Sequence, residues 1–138
     1  MTQNKPLPPV DAQSRAYWAA CDAGQLLVQR CEACSHVQHY HRVLCTHCGH
    51  DKLTDVPASG TGTIRSFTVI RRAVSAAFEA DVPYVVALIE LQEGPTLMSN
   101  VINTPLELIT IGKPVQLTFE RRSESIAIPQ FQIVEISR

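Results

Sequence analysis

Four of the chain's five cysteines fall within twenty residues, in the stretch CEACSHVQHYHRVLCTHCGH that runs from Cys31 to His50. They form two CxxC pairs, Cys31/Cys34 and Cys45/Cys48, with ten residues between them. Four thiolates spaced in this way can surround a zinc ion as a tetrahedron, each sulfur about 2.3 Å from the metal. Each CxxC makes a tight turn that aims backbone N–H groups at the sulfurs. Gly49, after the second pair, suits the positive φ such a turn needs, whereas Ser35 after the first suits it less well. A catalytic zinc keeps one coordination position open, but four thiolates close the shell and leave an ion that activates water poorly. The expected cofactor is therefore structural zinc. Its binding would offset the weakness of a unit too small to build its own core.

The same stretch holds five histidines, His36, His39, His41, His47 and His50. With the metal shell complete, they are expected on the polar surface of a two-stranded ribbon. The remaining cysteine, Cys21, would make the chain an enzyme in its own right if it were a nucleophile. No base can be identified for it, and free cysteine usually packs as a small hydrophobe. A GxSxG elbow, a GxGxxG turn, a P-loop and a carboxylate dyad are all missing from the sequence.

Other elements must position the cysteines. Residues 1–10 carry three prolines and read as an extended, disordered arm. "SRAYWAACDA" (14–23) reads as a short helix capped by Ser14, with Gly24 in the C′ position. So short a helix must dock on something, and Tyr17 and Trp18 supply the area for docking or for lining a ligand channel. "QLLVQRC" (25–31) reads as a strand entering the cysteine stretch, and "DKLTDVPASGTG" (51–62) as a polar junction. Five β segments follow, over 62–72, 82–91, 96–103, 114–122 and 129–136, with no long helix among them. The second, "VPYVVALIEL", is apolar enough to be covered on both faces. "PLELITIG" suggests a helical turn between the third and fourth. The fold class is thus mostly β: a short N-terminal helix and zinc ribbon, then a five-stranded OB-fold barrel. The expected divisions are a disordered arm at 1–13, helix and ribbon at 14–58, and the barrel at 59–138.

Formal net charge is −1, with 12 Lys+Arg against 13 Asp+Glu, and lysine occurs only at Lys5, Lys52 and Lys113. Zinc ribbons and OB-folds both serve as single-stranded nucleic-acid modules, which makes that the alternative reading. Backbone-tracking grooves are rich in positive charge, however, and this chain has no such excess. The N-terminus lacks a secretory apolar core, no run is long enough to span a membrane, and the odd cysteine count argues against a disulfide framework. A cytoplasmic protein is expected.

Arg71 and Arg72 open the loop RRAVSAAFEADVP, which in a five-stranded barrel borders the usual ligand face. Two guanidinium groups there could grip phosphate. Val74, Ala76, Ala77 and Phe78 make the loop apolar for an exposed connection, as if a partner or acyl chain covered it. Arg121 and Arg122, ending the fourth barrel strand, read as solvated.

The order of a short aromatic helix, GQLLVQRCEAC, CTHCG, GTGTIRSFTVI, PYVVALIEL, GPTLMSNVI and IGKPVQLTFE resembles the family catalogued as domain of unknown function thirty-five. That family joins a rubredoxin-like zinc ribbon to an OB-fold, and the resemblance spans residues 14–136. It carries the metal ligands onto Cys31, Cys34, Cys45 and Cys48. Relatives often have prolines before the ribbon's arginine; here Arg42 matches the arginine, while Tyr40 and His41 stand where the prolines would be. The resemblance implies a non-catalytic accessory subunit. Such a subunit binds acyl-CoA or CoA, or bridges to a larger thiolase-like, hydratase or aldolase partner, and a homodimer is left open. Tyr17, Trp18, Arg42, Arg71, Arg72 and Phe78 are the expected ligand or partner contacts.

Overall fold

The computed structural model describes residues 5–134. Helix α1 (Arg15–Asp22) leads into β1 (Leu27–Cys31), β2 (Val37–Gln38) and β3 (Leu53–Pro57). These strands form one antiparallel sheet in the order β2-β1-β3. β4 (Thr61–Ile70), β5 (Tyr84–Leu91), β6 (Thr96–Val101), β7 (Pro114–Arg121) and β8 (Ala127–Ile133) then close a barrel in the order β4-β5-β6-β8-β7. A 3₁₀ turn at Leu106–Leu108 sits where the sequence suggests a helical turn.

The ribbon has a third strand that the sequence reads as a junction. β3 pairs along the whole of β1, from Leu27↔Pro57 to Cys31↔Leu53. Backbone pairing to the open edge of β1 overrides the polar, turn-rich composition of this segment. The expectation for β5 also changes. Its residues alternate, with Val85, Ala87, Ile89 and Leu91 buried and Leu88 exposed, so only its inner face is covered. An apolar run had suggested two covered faces; a barrel wall needs one.

Helix α1 starts differently from the expectation as well. The Ser14 side chain does not cap it. Instead Ser14 N–H donates to Asp11 Oδ1 at 2.9 Å, and Asp11 N–H donates to Ser14 Oγ at 3.1 Å. This reciprocal pair fixes the turn that enters the helix. Residues 5–13 of the expected arm make side-chain contacts with the rest of the chain. Lys5 is ion-paired with Asp81 and Glu120, and Gln13 Nε2 donates to the His41 carbonyl at 2.7 Å. Residues 1–4 and 135–138, the ends of the expected arm and last strand, lie outside the described residues.

Ribbon and barrel share one core. Leu26 and Val28 from the ribbon lie in the same cluster as Ile64, Ile89, Val115 and Phe131 of the barrel, all at 1% exposure or less. A backbone bond from Ala58 N–H to Leu26 O at 2.8 Å extends the β1/β3 ladder up to the start of the barrel. Among the described residues no helix is long and apolar enough to cross a membrane.

β4 curls around the barrel by a bulge between Ile64 and Ser66, and near its start Gly62 lies against β5. A Cβ at Gly62 would sit 2.6 Å from the Glu90 carbonyl oxygen, a backbone atom that cannot step aside. Gly62→Ala is expected to destabilise the barrel by about 1–3 kcal/mol, read as a lower denaturation midpoint with unchanged zinc content.

Candidate functional site

The metal centre is built by two matching knuckles. Ser35 N–H donates to Cys31 O and Gly49 N–H to Cys45 O, both at 2.9 Å. Ser35 and Gly49 then turn the chain at φ of 67° and 82°. Ser35 adopts the left-handed conformation in spite of its side chain. Ala33 N–H and His47 N–H lie 3.4 Å from the Cys31 and Cys45 sulfurs. All four sulfurs fall within 4.8 Å of one another. Sulfur pairs Cys31–Cys48 and Cys34–Cys45 are 3.6 and 3.7 Å apart. A tetrahedron with bonds of about 2.3 Å has sulfur–sulfur edges of about 3.8 Å. The four thiols therefore fit zinc, and four ligands leave no position for substrate.

The ten residues between the knuckles are held by two buried glutamines. Gln29 Oε1 accepts from Gln38 Nε2 at 2.9 Å and from Arg42 N–H at 3.0 Å, while Gln29 Nε2 donates to Arg42 O at 3.1 Å. Gln38 Oε1 accepts from Thr46 N–H at 2.9 Å and Thr46 Oγ1 at 3.0 Å. Arg42 is thus fixed by its backbone, with its side chain exposed. The loop delivers His39, Tyr40, His41 and Arg42 against α1.

There they meet Tyr17 and Trp18 across a cleft of about 550 Å³ between α1, the ribbon loop and the β6/β8 side of the barrel. Its rings are in contact: Tyr17–Trp18 centroids are 5.0 Å apart, Tyr17–His39 5.6 Å, Tyr17–His41 5.5 Å and His39–Tyr40 4.5 Å. Met98, Ser99 and Asn100 complete the opposite wall. Tyr40 Oη accepts from Met98 N–H at 3.2 Å, joining ribbon to barrel at the rim.

Not all the histidines are surface groups. His36 is half-buried, and His47 and His50 are exposed, but His39 is 6% exposed and the His41 side chain 8%. The reason is the aromatic contact with Tyr17, which sits on the face of α1 turned to the ribbon. Tyr17 Oη and His39 Nε2 are 3.1 Å apart, and His41 Nε2 faces Asp55 Oδ1 at 3.0 Å. Burial, and secondly the neighbouring His41, bring the pKa of His39 down to about 4. Burial likewise raises the Tyr17 phenol well above its ordinary range. Cys21 is 1% exposed, and burial pushes its thiol up to about 11, so it stays protonated and unreactive at neutral pH.

The other expected contacts lie apart. Phe78 lines a second cleft of about 470 Å³, on the other side of Asn100, with Asp81, Tyr84, Glu120 and Arg122. Its ring tilts on Tyr84 at 6.1 Å and lies 5.5 Å from Lys5 Nζ. Arg71 and Arg72 are exposed, line neither cleft, and have no hydrogen-bond or ion-pair partner among the described residues. Arg121 is solvent-exposed, as expected, and also paired, whereas Arg122 is largely covered. Arg121 binds Asp22 Oδ1 at 2.8 Å, tying α1 to the barrel, and Arg122 Nε binds Glu120 Oε1 at 2.8 Å. Sequence reasoning missed His39, Tyr40, Met98 and Asn100. The run of three rings His39-Tyr40-His41 between the knuckles was a usable signal for the first two, because all three line the same cleft.

The fold and the thiol cluster define a zinc ribbon joined to an OB-type barrel. Family models agree: the ChsH2 rubredoxin-like zinc ribbon domain matches residues 18–54, and the ChsH2 C-terminal OB-fold domain matches residues 55–120. A "DUF35 domain-containing scaffold protein" of Methanothermobacter thermautotrophicus is 33% identical over 96 residues, 69% of this chain and 71% of that one. The chain belongs to this ChsH2/DUF35 family. A "Probable enoyl-CoA hydratase alpha subunit" of Thermomonospora curvata is 34% identical over 128 residues. That match covers 93% of this chain but only 40% of the relative's length. The solved structure titled "Ltp2-ChsH2(DUF35) aldolase" superposes with a TM-score of 0.82 at 34% identity, covering 92% of this chain and 98% of that chain.

Two outcomes follow from this geometry. Cys45→Ser is expected to abolish stoichiometric zinc, measured by metal analysis, and to melt the ribbon. The binding free energy lost is on the order of 10 kcal/mol, as for small zinc domains whose fold depends on the metal. For His39, the folded pKa of about 4 lies below the ordinary 6.5. The unfolded chain therefore takes up a proton first, and stability contributed above pH 6.5 is lost as pH falls toward 4. His39→Gln should flatten the dependence of Tm on pH across that window relative to wild type.

Proposed function

We propose that this chain is a non-catalytic accessory subunit of an enzyme that acts on acyl-CoA, a hydratase or an aldolase, with thiolase-like enzymes as the related class. In this role it docks on the larger enzyme in the cytoplasm and lends the aromatic cleft to the CoA thioester. The single observation that carries the reading is the cleft itself: a channel walled by Tyr17, Trp18, His39, Tyr40 and Met98, with Arg42 on its rim. Such walls suit a slender, mostly uncharged chain carrying hydrogen-bonding groups. The hydratase and aldolase named among the similar proteins supply the reaction class.

Tyr17 and Trp18 would hold the arm by contact, and Arg42 would meet a polar group at the mouth. Arg71 and Arg72, exposed and without a partner among the described residues, would be the groups available for phosphates farther out. Phe78, in the second cleft, would contribute to a partner surface rather than to the aromatic channel. The closed thiolate shell and the protonated Cys21 leave the bond-making chemistry to the partner.

Co-expression with a hydratase or aldolase encoded beside it should yield a complex stable to size exclusion. Within that complex, Trp18→Ala is expected to raise KM for acyl-CoA about tenfold, a loss near 1.4 kcal/mol, while assembly persists. Acyl-CoA should also quench Trp18 fluorescence in the wild type. A partner that is fully active alone, with no co-elution and no response of Trp18 to acyl-CoA, would refute the assignment.

A further inference from the structure

Residues 5–13 pass from the second cleft to the aromatic one, and their two ends are held by different physics. At the first end Lys5 Nζ is ion-paired with Asp81 and with Glu120, the latter at 3.3 Å, and lies over the Phe78 ring. Glu120 is shared: its Oε2 takes Lys5, and its Oε1 takes Arg122 Nε. Arg122 in turn donates to the Pro6 carbonyl at 3.3 Å. At the other end Gln13 Nε2 donates to the His41 carbonyl at 2.7 Å, a neutral contact with the ribbon loop. Between them Pro9 and Asp11 form part of the aromatic cleft's wall, beside Trp18.

This segment is built to be held by its ends. Pro6, Pro8 and Pro9 remove three backbone donors and stiffen an extended conformation. Among the described residues, no backbone–backbone hydrogen bond ties positions 5–10 to another part of the chain. At this end the wall is therefore held by the Lys5 ion pairs and by the single long Arg122–Pro6 contact beside them. The Lys5 side chain is 8% exposed, but those of Asp81 and Glu120 are 40% and 26% exposed, so salt reaches the carboxylates. The far end, at Gln13 and the Asp11–Ser14 turn, has no ion pair among the described residues and is held by hydrogen bonds alone.

We propose that residues 5–13 are a strap across the aromatic cleft, latched by the Lys5 ammonium in the acidic notch of Asp81 and Glu120, and that competing that charge contact opens the cleft. The inference concerns access to the cleft and holds whatever molecule the cleft receives. A docking enzyme that presents its own cation to the notch would open the cleft in the act of binding.

Trp18 is the chain's one tryptophan and lies in the cleft wall, so its fluorescence reads the aperture directly. Acrylamide is uncharged, and its encounter with Trp18 is not steered by salt. In the zinc-loaded wild type, the acrylamide quenching constant should rise about twofold as NaCl is taken to about 1 M, where the screening length is only about 3 Å. Lys5→Met keeps the length of the side chain without its charge; it should start at the high value and stay flat with salt. Lys5→Arg should follow the wild type. Zinc content and far-UV circular dichroism check the fold of each variant. A wild type insensitive to salt, or a Lys5→Met protein that reproduces the wild-type salt curve, would overturn the proposal. Should Lys5→Met fail to fold, the wild-type and Lys5→Arg titrations decide by themselves.

Discussion

Ten residues separate Cys34 from Cys45, and they carry His39, Tyr40, His41 and Arg42 of the cleft although β2 takes up only Val37 and Gln38. Loops of this length keep one geometry only if their backbone groups find partners. Here the partners are side chains: Gln29 binds both the N–H and the carbonyl of Arg42, and Gln38 binds Thr46. Both glutamines are buried, at 7% and 6% exposure, where an unmade hydrogen bond costs about 1–3 kcal/mol. The zinc clamp fixes where the loop starts and ends. The glutamine pair fixes its path between those points, and so decides that His39 and His41 face Tyr17.

The second constraint is that ribbon and barrel cannot move freely against each other. Leu26 and Val28 sit in the barrel's own core cluster, Arg121 ties α1 to the end of β7, and Tyr40 ties the ribbon loop to β6. A cleft between two independently moving units would lose its shape. This one is bounded by parts that share a core, so its aromatic walls are pre-positioned and little ordering is left for an occupant to impose. Electrostatics reinforce the division. Lys5, Asp81, Glu120 and Arg122 neutralise one another around the second cleft, whereas Arg42, Arg71 and Arg72 remain exposed.

The metal centre and the barrel were legible in the sequence for physical reasons. Thiolate spacing and strand alternation are local patterns, and the structure uses them locally. β3 was not legible, because Leu53–Pro57 becomes a strand by pairing with β1, a partner more than twenty positions earlier. The strap was hidden for the same reason: three prolines read as disorder, and nothing local announces that Lys5 reaches Glu120 on the fourth barrel strand. Buried His39 and His41 were misjudged because the closed zinc shell accounted for metal ligation and left packing unconsidered. Tyr17 and Trp18 were recognised as dual-purpose, and the structure uses Tyr17 in both ways, half-buried against the core while lining the cleft.

Both clefts open where the barrel closes least tightly. β6 and β8 run parallel and share a single register pair, Val101↔Phe131, whereas β4 and β5 pair along nearly their whole length. A seam that short leaves backbone acceptors without ladder partners, and side chains take their place. Across the seam Ser99 Oγ donates to Pro129 O at 2.9 Å and Gln130 Nε2 donates to Asn100 Oδ1 at 3.3 Å, while Asn100 Nδ2 reaches back to Val85 O of β5 at 2.8 Å. Polar side chains that replace a ladder give a wall with hydrogen-bonding capacity. The ribbon loop and strap stand over one side of that wall and the 3₁₀ turn Ala76–Asp81, with Phe78, over the other, so Asn100 borders both clefts. The same incomplete strand pairing thus creates the hydrogen-bonding wall that the two clefts share.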